Sequence, residues 1–475
     1  MTPSSRPHLS ISDLDLSSIT NLSLDSRTVR AGDLFLGLPG SRLNGAVFAN
    51  EAADKGASAL LVEADTDPRL LPAEYPNGPK IYRSHQPLID AAIIASIFYG
   101  SMPSTCSAVT GTNGKTSVAW FHRLLMDAAG KPTVSFGTLG VHPPHLGPVP
   151  SLTSPDPVSL HRALKAAHNE GYEHVVIEAS SHGLDQHRLA GLDFDAVAFT
   201  NFSQDHLDYH ETMDSYRDAK LKLLSLKKIH GQVITNADDP TFSTLEGWSY
   251  GFSGRDARIL RVTPTSTGIH LRTDEVNIEM PLIGSFQAHN VLCAWLMTRA
   301  TGTQTKSYLE TLSAVPGRME AVAKHEHGGL ILVDYAHTHD ALASALRAAR
   351  DHTQARVICV FGAGGNRDKG KRALMGNVAK KLADLVFITD DNPRFEKPEL
   401  IRETILSACP HAIEIADRRE AIASAIAEAR AGDIVLIAGK GHETGQTIGS
   451  TTRPFDDRKI AREIANQSSA WQVLA

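Results

Sequence analysis

The sequence predicts an α/β protein of three domains. They are a small N-terminal α/β unit, a central P-loop-type, mostly parallel sheet with helices on both faces, and a C-terminal Rossmann-like domain. Three observations predict this. Short uninterrupted apolar runs alternate with helical stretches, the pattern of parallel strands covered on both faces. A glycine-rich loop, Thr110 to Ser117, joins a strand to a helix. Turn-rich breaks at Tyr99-Gly100-Ser101-Met102-Pro103 and Val315-Pro316-Gly317 divide the 475 residues into segments 1–100, 101–316 and 317–475. Each segment is long enough to bury its own core.

In the first segment, 33–38 and 59–62 read as strands and 48–55 and 88–98 as helices. In the second, strands are expected at 107–110, 174–179, 196–200 and 232–236, with helices at 117–129 and 158–170 between them. Residues 257–283 alternate apolar and polar side chains with few helix formers, which predicts a small antiparallel addition before a helix at 288–300. The third segment reads strand 330–333, helix 340–351, strand 357–361, helix 371–382, strand 385–389, helix 418–430 and strand 433–438. That alternation predicts a doubly wound sheet.

Composition narrows the function. A formal net charge of −6 argues against a nucleic-acid surface, because phosphate neutralisation leaves a basic footprint. The four cysteines, Cys106, Cys293, Cys359 and Cys409, have no metal-ligand spacing, and the first three lie in apolar runs as small core residues of a reducing compartment. Met1 to Ser10 lacks the basic-then-apolar signal pattern, and no apolar run approaches the ~20 residues that span a bilayer. A cytoplasmic protein without membrane insertion is expected.

The loop Gly111-Thr112-Asn113-Gly114-Lys115-Thr116-Ser117 carries the chemistry of an ATP site. Successive backbone N–H groups and a helix N-terminus favour an anion. Lys115 adds a point charge for the β- and γ-phosphates, and a hydroxyl of Thr116 or Ser117 suits Mg²⁺. Val109 stands where the general phosphate-loop pattern has glycine, and the alternative is an ordinary glycine-rich turn. Gly439-Lys440-Gly441-His442 has no Ser or Thr after its lysine and is not read as a nucleotide loop.

Several motifs together resemble the Mur ligase family and its folylpolyglutamate synthetase relatives. They are Thr110 to Thr116, Glu178-Ala179-Ser180-Ser181-His182-Gly183-Leu184, Thr200 to His210 and Asp334-Tyr335-Ala336-His337, in the family's order. The matches run from Asp25-Ser26-Arg27 to Gly439–Glu443. Gly364 to Arg372, Asp391-Asn392-Pro393-Arg394 and Gly439 to Glu443 are similar to segments of the diaminopimelate-adding members.

The resemblance implies an ATP-dependent amide ligase of peptidoglycan precursor synthesis. Its substrates would be UDP-MurNAc-L-Ala-D-Glu, meso-diaminopimelate and ATP, its cofactor Mg²⁺, and its state a monomer. The three segments become a UDP-sugar domain, an ATP domain and an amino-acid domain. Lys115, Glu178, His206, Lys220 and Asp334 are the implied catalytic residues. Thr116, Glu178, His206 and Lys220, the last as a CO₂-derived carbamate, are the implied metal ligands. Asn290, Arg318 and Asp334 complete the ATP site. Leu24, Ser26, Thr153, Ser154, Ser180, Gln186 and Arg188 hold the nucleotide-dipeptide. Arg367, Asp391, Asn392, Pro393, Arg394, Gly439 and Glu443 hold diaminopimelate, the arginines taking its distal carboxylate and Asn392 and Glu443 its ammonium groups.

Each residue also has a plainer reading. Glu178 could be a structural hydrogen-bonding acid, His206 a surface histidine, Lys220 a solvated helix lysine, and Arg318 an interdomain ion pair. Arg367 or Arg394 could be a surface ion pair, and Thr153 and Ser154 a helix N-cap before Pro155. The loop Ser41-Arg42-Leu43-Asn44-Gly45 departs from the family pattern, which has aspartate where Asn44 stands. Rival functions are a lysine-adding or folate-type ligase, a non-catalytic nucleotide-binding regulator, and a hydrolytic P-loop ATPase.

Overall fold

A computed structural model describes residues 13–40, 43–72, 78–147 and 152–474. Met1 to Ser10, read above for a signal pattern, and Ser41-Arg42 of the divergent loop lie outside the described residues. The chain forms two compact units. One comprises Met1–Thr235, Thr244–Trp248 and Ala300–Thr303, the other Asn236–Ser243, Ser249–Arg299 and Gln304–Ala475.

The first unit holds two sheets. The smaller has four parallel strands in the order Leu22–Ser23, Leu34–Gly37, Ala59–Glu63 and Lys80–Ser84. Alternate residues of one strand face opposite cores, as the pleat requires. Leu34 and Leu36 pack with Ala91 and Ile94 of helix Pro87–Tyr99, whereas Phe35 packs with Ala49 and Ala52 of helix Ala49–Asp54. Of the larger, ten-stranded sheet, the first six strands from one edge run Gly140–His142, Thr133–Gly137, His174–Glu178, Thr105–Thr110, Phe194–Phe199 and Lys227–Asn236. Neighbours among these six are parallel except the first pair. Strand Thr105–Thr110 sits in the middle, so the loop that follows opens between two neighbours' C-terminal ends. That is where parallel sheets place ligands. Strand Thr133–Gly137 was not foreseen, because Thr133 and Ser135 interrupt its apolar run.

In the second unit, Ala257–Pro264, Ile269–Thr273 and Asn277–Met280 form the expected antiparallel addition. Helix Gln287–Ala300 follows, buried along most of its length. The last sheet has seven strands: Ile413–Glu414, Leu385–Ile388, Val357–Phe361, Ile434–Ala438, Leu330–Asp334, Glu320–His325 and Trp471–Val473. The first five are mutually parallel, and Glu320–His325 runs antiparallel to both of its neighbours. Helices His339–Asp351, Gly370–Leu382 and Pro398–Ala408 bury Leu342, Leu346, Met375, Ile401 and Ile405 on one face. Helices Arg418–Glu428 and Asp457–Ala465 bury Ile422, Ile426 and Ile460 on the other. Each such aliphatic side chain contributes about 1.5–3 kcal/mol when fully buried.

The four cysteines are buried and unpaired with one another. Among the described residues no helix is long and apolar enough to cross a membrane.

Candidate active site

Gly111 and Gly114 shape the phosphate loop. Gly111 has φ +148°, and a Cβ there would lie 1.8 Å from the Thr200 hydroxyl oxygen. Gly114 has φ +87° and turns the chain into helix Lys115–Ala128. The loop is tied to the next strand end. Thr112 N donates to the Asn201 carbonyl at 2.8 Å and Asn113 N to Asn201 Oδ1 at 2.9 Å. Thr200 Oγ1 donates to the Asn113 carbonyl at 2.6 Å. Lys115 Nζ donates to the carbonyls of Gly111 (2.9 Å) and Thr112 (2.8 Å), so its charge lies over the loop.

Behind the loop, Thr116 Oγ1 donates to Glu178 Oε2 at 2.9 Å, and Glu178 is 2% exposed. Thr138 supplies two more donors to this carboxylate, its N at 2.8 Å and its Oγ1 at 3.2 Å. Gly137 leaves room for it, since a Cβ there would meet Glu178 Oε1 at 1.9 Å. A carboxylate beside a hydroxyl is a hard oxygen donor set that fits Mg²⁺. Among the described residues no group of three or more His, Cys, Asp or Glu could hold an ion.

Lys220 is 1% exposed, on helix Met213–Leu221. Its Nζ donates to the Gly111 carbonyl at 2.8 Å and lies 4.4 Å from the Tyr216 ring centroid. Burial, then the Lys115 charge, holds its amine well below the usual lysine range. The solvated-lysine reading is thereby overturned. Tyr216, which sequence reasoning passed over, donates to Thr112 Oγ1 at 3.3 Å and joins the lysine helix to the loop. His206 sits in the left-handed region at φ +53°, 4.8 Å between ring centroids from His182 and 6.1 Å from Tyr216. Its side chain is 44% exposed, as the surface-histidine reading expected, and partial desolvation lowers its proton affinity.

Ser154, Ser180, Gln186 and Arg188 come together. Ser154 Oγ donates to the Glu178 carbonyl at 2.8 Å and accepts from Ser180 N at 2.9 Å. Arg188 donates to the Ser154 carbonyl at 2.9 Å and to Gln186 Oε1 at 2.5 Å. Tyr209, also unforeseen, accepts from Gln186 Nε2 at 3.2 Å and donates to Asp185 at 3.0 Å. Thr153 Oγ1 is 3.2 Å from Thr138 Oγ1. The N-cap reading of Thr153 and Ser154 is corrected: helix Pro157–Asn169 is capped by Asp156, which accepts from Ser159 N at 2.9 Å. Pro157 takes the first helical position, where a missing N–H costs nothing.

In the small sheet, Ser26 Oγ donates to Glu51 at 2.7 Å, and Leu24 lies in the preceding turn, packed against that sheet's core. Asn44 Oδ1 caps a short turn by accepting from Ala46 N at 2.9 Å, while its Nδ2 donates to Glu63 at 3.2 Å. Aspartate would cap equally well but would face the Glu63 carboxylate. This accounts for asparagine here.

The second unit places Asp334, Arg367, Asp391 to Arg394 and Gly439 to Glu443 at or just beyond the C-terminal ends of parallel strands, and Asn290 on helix Gln287–Ala300. Asp334 ends strand Leu330–Asp334, accepting from Met319 N and Ala336 N, both at 2.8 Å. Burial raises its pKa despite nearby Arg318. The Arg318 guanidinium lies 4.6 Å from the Tyr335 ring centroid. Asn290 is buried and donates to Gln287 at 2.9 Å. Arg394 has φ +51° and donates to the Gly365 carbonyl at 2.9 Å. A Cβ on Gly364 would meet both Arg394 (2.8 Å) and Arg367 (3.8 Å), so the two arginines flank one loop. Asn392 Nδ2 donates to Glu443 at 2.9 Å, and a Cβ on Gly439 would lie 2.6 Å from Asp391. Pro393 is buried between Asn392 and Arg394.

Lys440 was dismissed with its motif, yet it is 0% exposed and bonded to both Asn392 Oδ1 (3.1 Å) and Glu443 Oε2 (3.0 Å). Nothing in the sequence announces that burial. For Thr138, the flanking Gly137 and Gly140 were a usable signal of a turn at a strand's end.

Comparison with known proteins identifies the family. Three domain families match: the Mur ligase family, catalytic domain (residues 18–97), the Mur ligase middle domain (109–298), and the Mur ligase, glutamate ligase domain (317–441). The UDP-N-acetylmuramoyl-L-alanyl-D-glutamate–2,6-diaminopimelate ligase of Rhizobium meliloti is 42% identical over 462 residues, 94% of each chain. That of Caulobacter vibrioides is 42% identical over 92% of this chain and 94% of its own. A solved structure of a ligase with the same substrates in its name is 30% identical, with a TM-score of 0.65 over 96% of this chain and 98% of its own. The MurF ligase of Thermotoga maritima, solved with ADP, is 18% identical with a TM-score of 0.63 over 96% of this chain and 97% of its own, a likeness of fold. The chain belongs to the Mur ligase family.

Proposed function

We propose that this chain joins meso-diaminopimelate to the D-glutamyl γ-carboxylate of UDP-MurNAc-L-Ala-D-Glu, using ATP, in the bacterial cytoplasm and as a monomer. The observation that carries this reading is the Thr116–Glu178 pair, buried directly behind a lysine-bearing phosphate loop. Residues 1–100 then take the UDP-sugar, 101–316 take ATP, and 317–475 take the amino acid. The relatives named for this reaction span nearly the whole chain, which supports the substrate assignment.

A carboxylate resists amide formation because oxide is a poor leaving group. Attack of the γ-carboxylate on the γ-phosphorus of ATP expels ADP and leaves an acyl phosphate. The free amine of the amino acid then adds to that carbonyl. Phosphate leaves with the carbon–oxygen bond electrons, and the amine sheds a proton. Two anions must meet in the first step, so charge stabilisation dominates. The N–H groups of Gly111 to Ser117 and the ammonium of Lys115 supply it. Thr116, Glu178, His206 and the Lys220 carbamate would hold Mg²⁺, which when bound would draw charge from the phosphate oxygens.

Lys220 is suited to carbamylation. Burial lowers its proton affinity, and the amine in its neutral form adds to CO₂ and loses a proton, leaving an anion beside the loop. Asn290, Arg318 and Asp334 are assigned to the adenosine and phosphates. Leu24, Ser26, Thr153, Ser154, Ser180, Gln186 and Arg188 are assigned to the nucleotide-dipeptide. Arg367 and Arg394 take the distal carboxylate of diaminopimelate and repel the bare ammonium of lysine.

Phosphate release is the test, measured with UDP-MurNAc-L-Ala-D-Glu and either meso-diaminopimelate or L-lysine. Diaminopimelate should drive release, with kcat/KM at least about tenfold (about 1.4 kcal/mol) above lysine. Equal use of lysine would overturn the substrate assignment, and release without any amino acid would indicate a hydrolytic ATPase.

A further inference from the structure

Lys440 is a lysine with no exposed surface, placed among the loops assigned to the amino acid. A buried ammonium is costly unless paired. Here its partners are Glu443 Oε2 at 3.0 Å and Asn392 Oδ1 at 3.1 Å, with Asp391 Oδ1 at 3.9 Å. The positive φ of Gly439, +117°, brings the chain past Asp391 and into this position.

The hydrogen bonds fix which way the Asn392 amide points. Its Oδ1 accepts from Lys440 Nζ and also from Thr447 N at 2.9 Å. Both of these are donors, so the oxygen must face them. The amide nitrogen, by the same logic, donates to Glu443 Oε2. A carbonyl oxygen has two lone pairs, and both are taken. The amide nitrogen keeps a second hydrogen, which can only donate. Asn392 therefore offers a substrate a donor and not an acceptor.

Lys440 also neutralises Glu443. Nearby, Arg418 and Asp457, both without exposed surface, form a closed pair at 2.7 Å, and Arg418 anchors the Ala438 carbonyl at 3.0 Å, just before the loop. Arg418 also faces Asp391 and Glu443 electrostatically, but Lys440 is the cation hydrogen-bonded to Glu443, at 3.0 Å.

We propose that Lys440 is a positioning residue that makes the amino-acid site select a carboxylate-bearing end group over a bare ammonium. It does so by orienting the Asn392 amide and by cancelling the Glu443 charge. The inference rests on the proposed ligase reading. Without Lys440 the Asn392 amide loses one of its three anchoring hydrogen bonds, and the site gains net negative charge. It should then discriminate less against the lysine side chain.

The test compares wild type, Lys440→Gln, Lys440→Met and the double variant K440M/E443Q. For each, kcat and KM are measured with meso-diaminopimelate and with L-lysine, alongside KM for ATP and the thermal midpoint. In K440Q and K440M the ratio of diaminopimelate to lysine kcat/KM should fall by about tenfold or more, mainly through KM for diaminopimelate, with KM for ATP within about twofold. K440M/E443Q, which removes both charges, should recover part of that ratio. K440Q keeps a polar head in the site and carries the test if K440M does not fold. An unchanged ratio in a folded, active variant would overturn the inference and leave the ligase reading intact. Wild type inactive with both amino acids would overturn the ligase reading and the inference with it.

Discussion

Replacing Glu178 by glutamine separates its charge from its shape. The carboxylate accepts from Thr116 Oγ1, Thr138 N and Thr138 Oγ1. Glutamine can keep the Thr138 N bond through its amide oxygen, and its NH₂ can donate to the two hydroxyls, which rotate to accept. Exchanging charge-assisted for neutral bonds costs about 1 kcal/mol each. Relief from burying a charge at 2% exposure offsets several kcal/mol of that. The net stability change should therefore stay within about 2 kcal/mol. Activity should respond differently, because the lost charge is the one proposed to hold the metal. Losing one preorganised electrostatic group costs about 10²–10³ in kcat, or roughly 2.7–4 kcal/mol. Phosphate release with all substrates saturating, titrated with Mg²⁺, reads that cost, and thermal unfolding reads stability. A folded Glu178→Gln variant within about threefold of wild type would refute the metal role and make Glu178 a structural acid. Gly137→Ala is a companion test, because its Cβ would lie 1.9 Å from Glu178 Oε1 and must displace the carboxylate.

Three further perturbations address other parts of the account. Gly111→Ala places a Cβ 1.8 Å from Thr200 Oγ1, so ATP-dependent phosphate release should fall by about 10²-fold or more; near-normal release would contradict the loop assignment. Wild type in ¹³C-bicarbonate should show a carbamate carbon resonance that Lys220→Met lacks. The depressed amine pKa means the neutral, reactive form is lost as pH falls, so the signal should fade towards acid, and its absence at all pH values would remove the carbamate. His161, 3% exposed, has its pKa lowered by burial from 6.5 to about 4. The unfolded chain binds that proton more readily, so stability should fall as pH drops from 6.5 through about 4, by on the order of 3 kcal/mol from this group. His161→Leu should flatten that part of the denaturation profile, and an unchanged slope would rule the group out.

Much of the fold was legible because doubly covered strands such as Val357–Phe361 and Ile434–Ala438 are continuous apolar runs. Strand Glu320–His325 was not, since Glu320, Lys324 and His325 break its pattern and its partners come from distant chain, including the C-terminal Trp471–Val473. The phosphate loop was legible because its glycines and lysine are adjacent in sequence. The Glu178 cradle was only half legible: the acid lies in a motif, but Thr138 reaches it from a turn forty residues away. Asn44 looked like a departure from pattern until Glu63 was found beside it. Lys440 looked like a failed phosphate loop because a sequence carries no sign of which lysine will be buried.

The central claim is that ATP activates a substrate carboxylate and does not merely drive motion. Synthesis with UDP-MurNAc-L-Ala-D-Glu carrying ¹⁸O in both γ-carboxylate oxygens, in unlabelled water, tests it directly. The account predicts one ¹⁸O in the released phosphate and one retained in the new amide, dependent on the amino acid. Phosphate that takes its fourth oxygen from water, with both labels still on the carboxylate, would contradict it.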